Sequence, residues 1–196
     1  MSEQEKGANA AVAKWLRETW ANGKYACTLD IGAAYPWLSH SLALLGCDAY
    51  ALDGEPHGFE GYKGRLLTGD FEEDLVLRNG GLAPNLITAI HTFEHFYEPV
   101  AALKKMRHLI SDDGHVFLRL PDHGVPGFER DLAEGHYSIH PFYHCPCSLL
   151  QCLVELGDAF EVVYTMPIVP GQRDIVLRPI TKRPTLGLAM IVKNEA

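Results

Sequence analysis

The chain has 196 residues, 47% of them hydrophobic, and 25 Asp and Glu against 17 Lys and Arg give a formal net charge of −8. That is room for one full domain with a sizeable core and too little for two ordinary ones. The negative balance, without any run of Lys or Arg, excludes nucleic acid as a partner, and no stretch is apolar for long enough to span a membrane. The N-terminus, MSEQEKGANA, is polar and unlike a secretory signal. Five cysteines, odd in number and unevenly spread, read as a reduced cytoplasmic protein with no disulfide framework.

In chain order, residues 8–22 place Val12, Trp15, Leu16 and Trp20 near one helical face, which predicts a helix packed across a sheet. Cys27 to Ile31 is short and apolar, as a parallel strand covered on both faces must be. Gly32-Ala33-Ala34 then turns the chain with almost no side chain, so a ligand can lie against the main chain. Trp37, Leu38, Leu42, Ala43 and Leu45 follow at helical spacing, with Gly46 as the stop. Residues 48–52 form a second strand with Asp53 at its carboxyl end. In open α/β sheets nucleotides bind at that edge, where a carboxylate can accept both hydrogen bonds of a ribose diol.

A glycine-rich loop, GEPHGFEGYKG, leads to a third strand at Arg65-Leu66-Leu67-Thr68, which ends in Gly69-Asp70-Phe71. Asp70 precedes Glu72, Glu73 and Asp74 and so also suits the start of a helix. Residues 86–90 are a fourth strand, followed by His91-Thr92-Phe93-Glu94-His95 and a helix entered at Pro99. Val100, Leu103, Met106, Leu109 and Ile110 form its apolar face. Glu94 and His95 read either as an acid/base pair or as groups that hold their loop by bonding the backbone. His91, at the strand end, is the better placed to touch a cofactor or substrate. Ser111-Asp112-Asp113-Gly114 turns into a fifth strand at residues 115–120, closing at Pro121.

Residues 121–147 make a long connection that carries His123, His136, His140, His144, Cys145 and Cys147. Loops of this length in compact domains are usually functional. The residue types and spacing could bind zinc, although Pro141 and Pro146 break any continuous helix through the histidines. The other reading is a substrate lid in which His140 and His136 accept a proton. A helix over residues 148–156 and two strands at 160–164 and 174–177 complete the domain, with Pro167, Pro170 and Gly171 as the turn between them.

Asp30, Gly32 and Ala34, with Asp53 at the next strand end, resemble the first two motifs of the class I S-adenosylmethionine-dependent methyltransferases, usually written D-x-G-x-G-x-G. Ala34 and Pro36 occupy two of the glycine positions, and the proline removes an N–H. The segment from Asn85 to Pro121 resembles the small-molecule and glycan subgroup of that family: a strand, Glu94-His95, an acid before Pro99, a helix, a tight turn, and a strand closing in proline. Asn85 stands where an aspartate is usual.

The resemblance covers roughly residues 25–165. It implies an α/β fold with a Rossmann-like, doubly wound, seven-stranded sheet, mostly parallel with an antiparallel strand pair at the C-terminal end. It implies S-adenosylmethionine as cofactor, held by Asp30, Gly32, Ala33, Ala34, Asp53, Gly54, Asp70, Phe71 and His91. In that set Asp53 takes the ribose, Asp70 and Phe71 the adenine, and the Gly32 turn the methionine part. His140, His136 and His91 are then the catalytic candidates, without a metal, for methyl transfer to an oxygen or nitrogen of a small molecule or glycan.

The tail LGLAMIVKNEA resembles the opening strand of family two glycosyltransferases, the other reading being a last sheet strand. The expected division is a methyltransferase domain over residues 1–181, with 182–196 leading into a fused glycosyltransferase domain. Two alternatives stay open: a cofactor-binding domain without catalysis and a zinc-binding interaction module. A dinucleotide-dependent reductase is disfavoured because G-x-G-x-x-G is absent.

Overall fold

The computed structural model describes residues 3–20, 27–73, 82–122, 146–157, 159–168 and 171–181. Its strands are β1 (Cys27–Ile31), β2 (Asp48–Asp53), β3 (Arg65–Thr68), β4 (Leu86–Ile90), β5 (His115–Pro121), β6 (Phe160–Ile168) and β7 (Gln172–Pro179). They form one sheet in the order β3-β2-β1-β4-β5-β7-β6. The first five run parallel, while β7 lies antiparallel to both β5 and β6. The chain therefore adopts the Rossmann-like, seven-stranded α/β fold with an antiparallel C-terminal pair. Its helices are α1 (Glu3–Trp20), α2 (Trp37–Leu44), α3 (Pro99–Leu109) and α4 (Pro146–Leu156).

Strand alternation sends neighbouring side chains into two cores. Leu29, Ile87, Val116 and Leu118 pack with Leu103 and Met106 of α3 and Leu149 and Leu153 of α4. Leu86, Phe117 and Val176 pack instead with Ala13 and Leu16 of α1 and Leu38 and Leu42 of α2. Leu29, Ile87 and Leu118 are fully buried, a transfer of about 2 kcal/mol each. Trp15 of α1 adds an edge contact to Phe117, centroids 5.9 Å apart, and a tilted one to Tyr164 at 5.2 Å.

Several boundaries differ from the sequence reading: the last two strands run longer than 160–164 and 174–177, and α4 starts at Pro146 instead of residue 148. Helix α1 begins at Glu3, five residues before the first residue of the predicted helix, because EQEKG adds helix without adding apolar periodicity. Pro167 lies within β6, opposite Arg173, and not in the turn. Strand β6 is an edge strand, the position in a sheet at which a missing N–H is tolerated. The tail at 182–196 lies outside the described residues.

The chain order β1, β2, β3 runs to one side, and the next strand, β4, pairs on the opposite side of β1. The carboxyl ends of β1 and β4 therefore form the topological switch point, the edge at which ligands bind in open α/β sheets. Among the described residues no helix is long and apolar enough to cross a membrane.

Candidate active site

A cavity of about 260 Å³ opens at this edge, and Gly32, Asp53, Gly54, Asp70, Phe71 and Thr92 are among the residues that line it. Four strand ends thus converge on one volume. Among the described residues no Lys or Arg lines it.

The turn after β1 is tightly specified. Gly32 sits at φ +67°, and a Cβ there would fall 2.3 Å from Thr92 Oγ1 and 2.4 Å from Thr92 Cγ2. Thr92 is fixed in turn because its hydroxyl bonds the carbonyls of Ile31 at 3.0 Å and Ile90 at 3.1 Å. Glycine is required at 32 for both backbone and packing reasons. Ala34 also has positive φ, +39°, and carries the strain that glycine would avoid.

The hydrogen bonds of this turn decide what it can hold. Gly32 N–H and Ala33 N–H both donate to Leu52 O, at 2.8 and 3.2 Å, and Ala34 N–H donates to Asp53 Oδ2 at 2.9 Å. Pro36 has no N–H to give. No described residue donates to the carbonyls of Gly32 or Ala33. Residues 32–34 therefore have no N–H left for a pyrophosphate, and the two open carbonyls could accept from a cationic head group.

Asp53 is oriented at both oxygens, Oδ2 by Ala34 N–H and Oδ1 by Glu55 N–H at 2.9 Å. Each oxygen retains a lone pair, enough for the two hydroxyls of a ribose. Asp70 is held by Glu72 N–H on Oδ1 at 2.8 Å and is exposed. Phe71 beside it is 4% exposed. Lys105 of α3 clamps this corner: its Nζ donates to Phe71 O and to Glu73 O at 2.6 Å, and lies 5.0 Å above the Phe71 ring. Glu72 closes the adjoining side, accepting Tyr97 N–H at 3.1 Å and Glu98 N–H at 2.7 Å.

Of the residues picked from sequence, Gly32, Asp53, Gly54, Asp70 and Phe71 come together around the cavity, while Ala33 and Ala34 continue the turn without lining it. Asp30 does not line the cavity and is 5% exposed, bonded by Thr88 Oγ1–H at 2.6 Å. Burial pushes its carboxyl up to about 7, against the lowering effect of the Thr88 bond, with the Asp53 charge adding to the rise. His91 stands at the end of β4 with Nδ1 3.5 Å from Glu94 Oε1. The Glu94 carboxylate has no hydrogen-bond partner among the described residues, while Thr92 ties the loop to Ile31 and Ile90.

His136 and His140 lie outside the described residues, as do His144 and Cys145. Among the described residues no group of three or more His, Cys, Asp or Glu could hold a metal. Cys27, Cys47 and Cys152 are free thiols, and burial pushes Cys27 up to about 11.

Thr92, Glu72 and Lys105 escaped the sequence reading. The last two work through bonds spanning 25 and 34 residues, a separation at which local pattern carries no signal. Thr92 had one signal, a small polar residue two positions after a predicted strand end.

The donor set fits S-adenosylmethionine. It combines paired acceptors for a ribose, a buried ring and a second carboxylate for a base, open carbonyls in the adjoining turn, and, among the described residues, no lining Lys or Arg for phosphate.

A family model described as a methyltransferase domain matches residues 4–156. No curated protein matches the chain. Solved structures similar to it include the magnesium protoporphyrin IX methyltransferase of Synechocystis PCC 6803 with bound S-adenosylhomocysteine. That match has a TM-score of 0.61 and 16% identity, covering 88% of this chain and 82% of that one. The human N-acetylserotonin methyltransferase in complex with S-adenosylmethionine matches with a TM-score of 0.59 and 16% identity over 90% of this chain. The mitomycin 7-O-methyltransferase MmcR matches at 0.64 and 14% over 88%. The chain spans 57% and 54% of the length of the last two. At such identities the likeness establishes the fold; the family match establishes the rest. The chain belongs to the methyltransferase domain family, as a class I domain that uses S-adenosylmethionine.

Proposed function

We propose that the domain methylates a hydroxyl oxygen, or a nitrogen, of a small molecule, and that the acceptor is a sugar or glycan. The observation carrying this reading is the pair of carboxylates, Asp53 and Asp70, set about the buried Phe71 beside a turn that offers carbonyls. In this reading Asp53 takes the ribose hydroxyls, with Gly54 leaving that edge open. Asp70 accepts the adenine amino group, and Phe71 packs on the ring. Gly32, Ala33 and Ala34 run along the methionine part, and Asp30 supports their strand end.

When bound about Asp53, Asp70 and the Gly32 turn, the cofactor would supply an electrophilic methyl group for transfer to the acceptor. The hydroxyl proton goes to a histidine, His91 at the end of β4, with His136 and His140 of the 121–147 connection as further acceptors. The protein's larger contribution is alignment of the acceptor with the methyl group in a closed pocket.

A small-molecule acceptor is supported by relatives whose names specify N-acetylserotonin and mitomycin. The glycan acceptor, and the division into residues 1–181 and a following glycosyltransferase from 182, rest on the tail LGLAMIVKNEA.

The test measures S-adenosylhomocysteine release over a panel of monosaccharides, nucleotide sugars, phenols and amines, with product mass as the second readout. Methylation of a sugar hydroxyl supports the full reading, and methylation of phenols alone removes the glycan. Cofactor binding without turnover on any acceptor would favour a non-catalytic domain, the reading to which Pro36 and the strained Ala34 lend weight.

A further inference from the structure

Glu94 is fully buried in the short turn Phe93–His95, and neither of its carboxylate oxygens has a hydrogen-bond partner among the described residues. An isolated buried carboxylate is costly, and a leucine would serve packing better. Among the described residues, His91 Nδ1 faces it, 3.5 Å from Oε1, on a side chain that is 43% exposed. His91 is itself held in an unfavourable conformation, at φ +52°. Its N–H is tied to Arg119 O at 3.1 Å, and the following residue, Thr92, is anchored to Ile31 and Ile90. Backbone strain beneath a side chain that is both half in solvent and aimed at a buried acid marks a functional arrangement.

We infer that Glu94 is a positioning residue, holding a proton on His91 Nδ1 so that Nε2 stays free to accept the proton of the acceptor hydroxyl. A carboxylate on one ring nitrogen fixes the tautomer at the other. The separation of 3.5 Å is long for a closed hydrogen bond, as such contacts are before substrate tightens them. The inference rests on the methyl-transfer reading for the use of the base, but not for the geometry.

Heteronuclear NMR of the imidazole nitrogens, on protein without cofactor or acceptor, reads the tautomer directly. Wild type and Glu94→Gln, whose amide oxygen still accepts, should carry the proton on Nδ1. Glu94→Leu should shift it to Nε2, the preference of a free imidazole. A wild-type His91 protonated at Nε2, or a tautomer unchanged in Glu94→Leu, overturns the inference, and the wild-type spectrum alone can do so if the leucine variant does not fold. Calorimetry with S-adenosylhomocysteine separates the two readings. Affinity within about twofold of wild type in Glu94→Gln is expected for a positioning role, and a tenfold loss would place Glu94 on the cofactor and overturn it. Failure of the wild type to bind would refute the methyl-transfer reading while leaving the tautomer result standing.

Discussion

Substituting Gly32 by alanine tests whether the turn is built as described. At φ +67° an L-residue costs about 1–2 kcal/mol. The added Cβ would also sit 2.3 Å from Thr92 Oγ1 and 2.9 Å from Thr92 Cβ, an overpacking worth about 1–3 kcal/mol. Thr92 cannot swing aside without giving up the hydroxyl bond it shares between Ile31 O and Ile90 O, worth about 1 kcal/mol in all. The sum is about 2–5 kcal/mol, a large part of a domain's stability. Gly46 supplies the control, since it has φ +88° and nothing within 4 Å of an added Cβ. Urea unfolding should show Gly46→Ala losing the backbone part alone and Gly32→Ala losing more, with slopes unchanged. In a Thr92→Ala background the excess should fall by about 1–2 kcal/mol, the coupling expected of residues in contact. Equal losses at the two glycines, or no coupling to Thr92, would refute the reasoning.

Asp30 should give the fold a pH dependence. Its folded value of about 7 lies above the usual 3.8, so its favourable contribution is complete below 3.8 and is lost as pH rises through 7. The full loss is on the order of 4 kcal/mol. Asp30→Asn should be more stable than wild type at about pH 8 and gain less at about pH 5, as read by urea unfolding at each pH. Arg119 and Asp174 form a two-point pair at 2.6 and 2.8 Å with the carboxylate 8% exposed. Asp174→Ala should therefore cost about 3 kcal/mol in the same assay, and Arg119→Met with Asp174→Leu should recover most of it. Lys105→Met removes the clamp on the Phe71 and Glu73 carbonyls. It should weaken S-adenosylhomocysteine binding about tenfold in calorimetry, the worth of one bond to a charged group.

The sheet was legible because its central strands are unbroken apolar runs bounded by glycine, proline or acids, as in Leu86–Ile90 and Cys27–Ile31. The same logic misread Pro167, since proline signals a turn unless the strand lies at an edge, and edge position is a property of the whole sheet. Asp53 and Asp70 could be found because a strand end puts a side chain at the ligand edge by topology alone. What the turn would offer a ligand could not be found, because it depends on Leu52 and Asp53 consuming the N–H groups of residues 32–34. Thr92 against Gly32 is a meeting in space for which the sequence holds no period, whereas His91 and Glu94 stand three residues apart and meet only because the turn between them is short.

Calorimetric titration of the wild type and Asp53→Ala with S-adenosylmethionine and S-adenosylhomocysteine tests the central claim most directly. Two ribose bonds to an oriented carboxylate are worth about 3 kcal/mol together, so micromolar binding to the wild type should weaken about a hundredfold in the variant. No binding to the wild type, or equal binding to both proteins, would contradict the site described here.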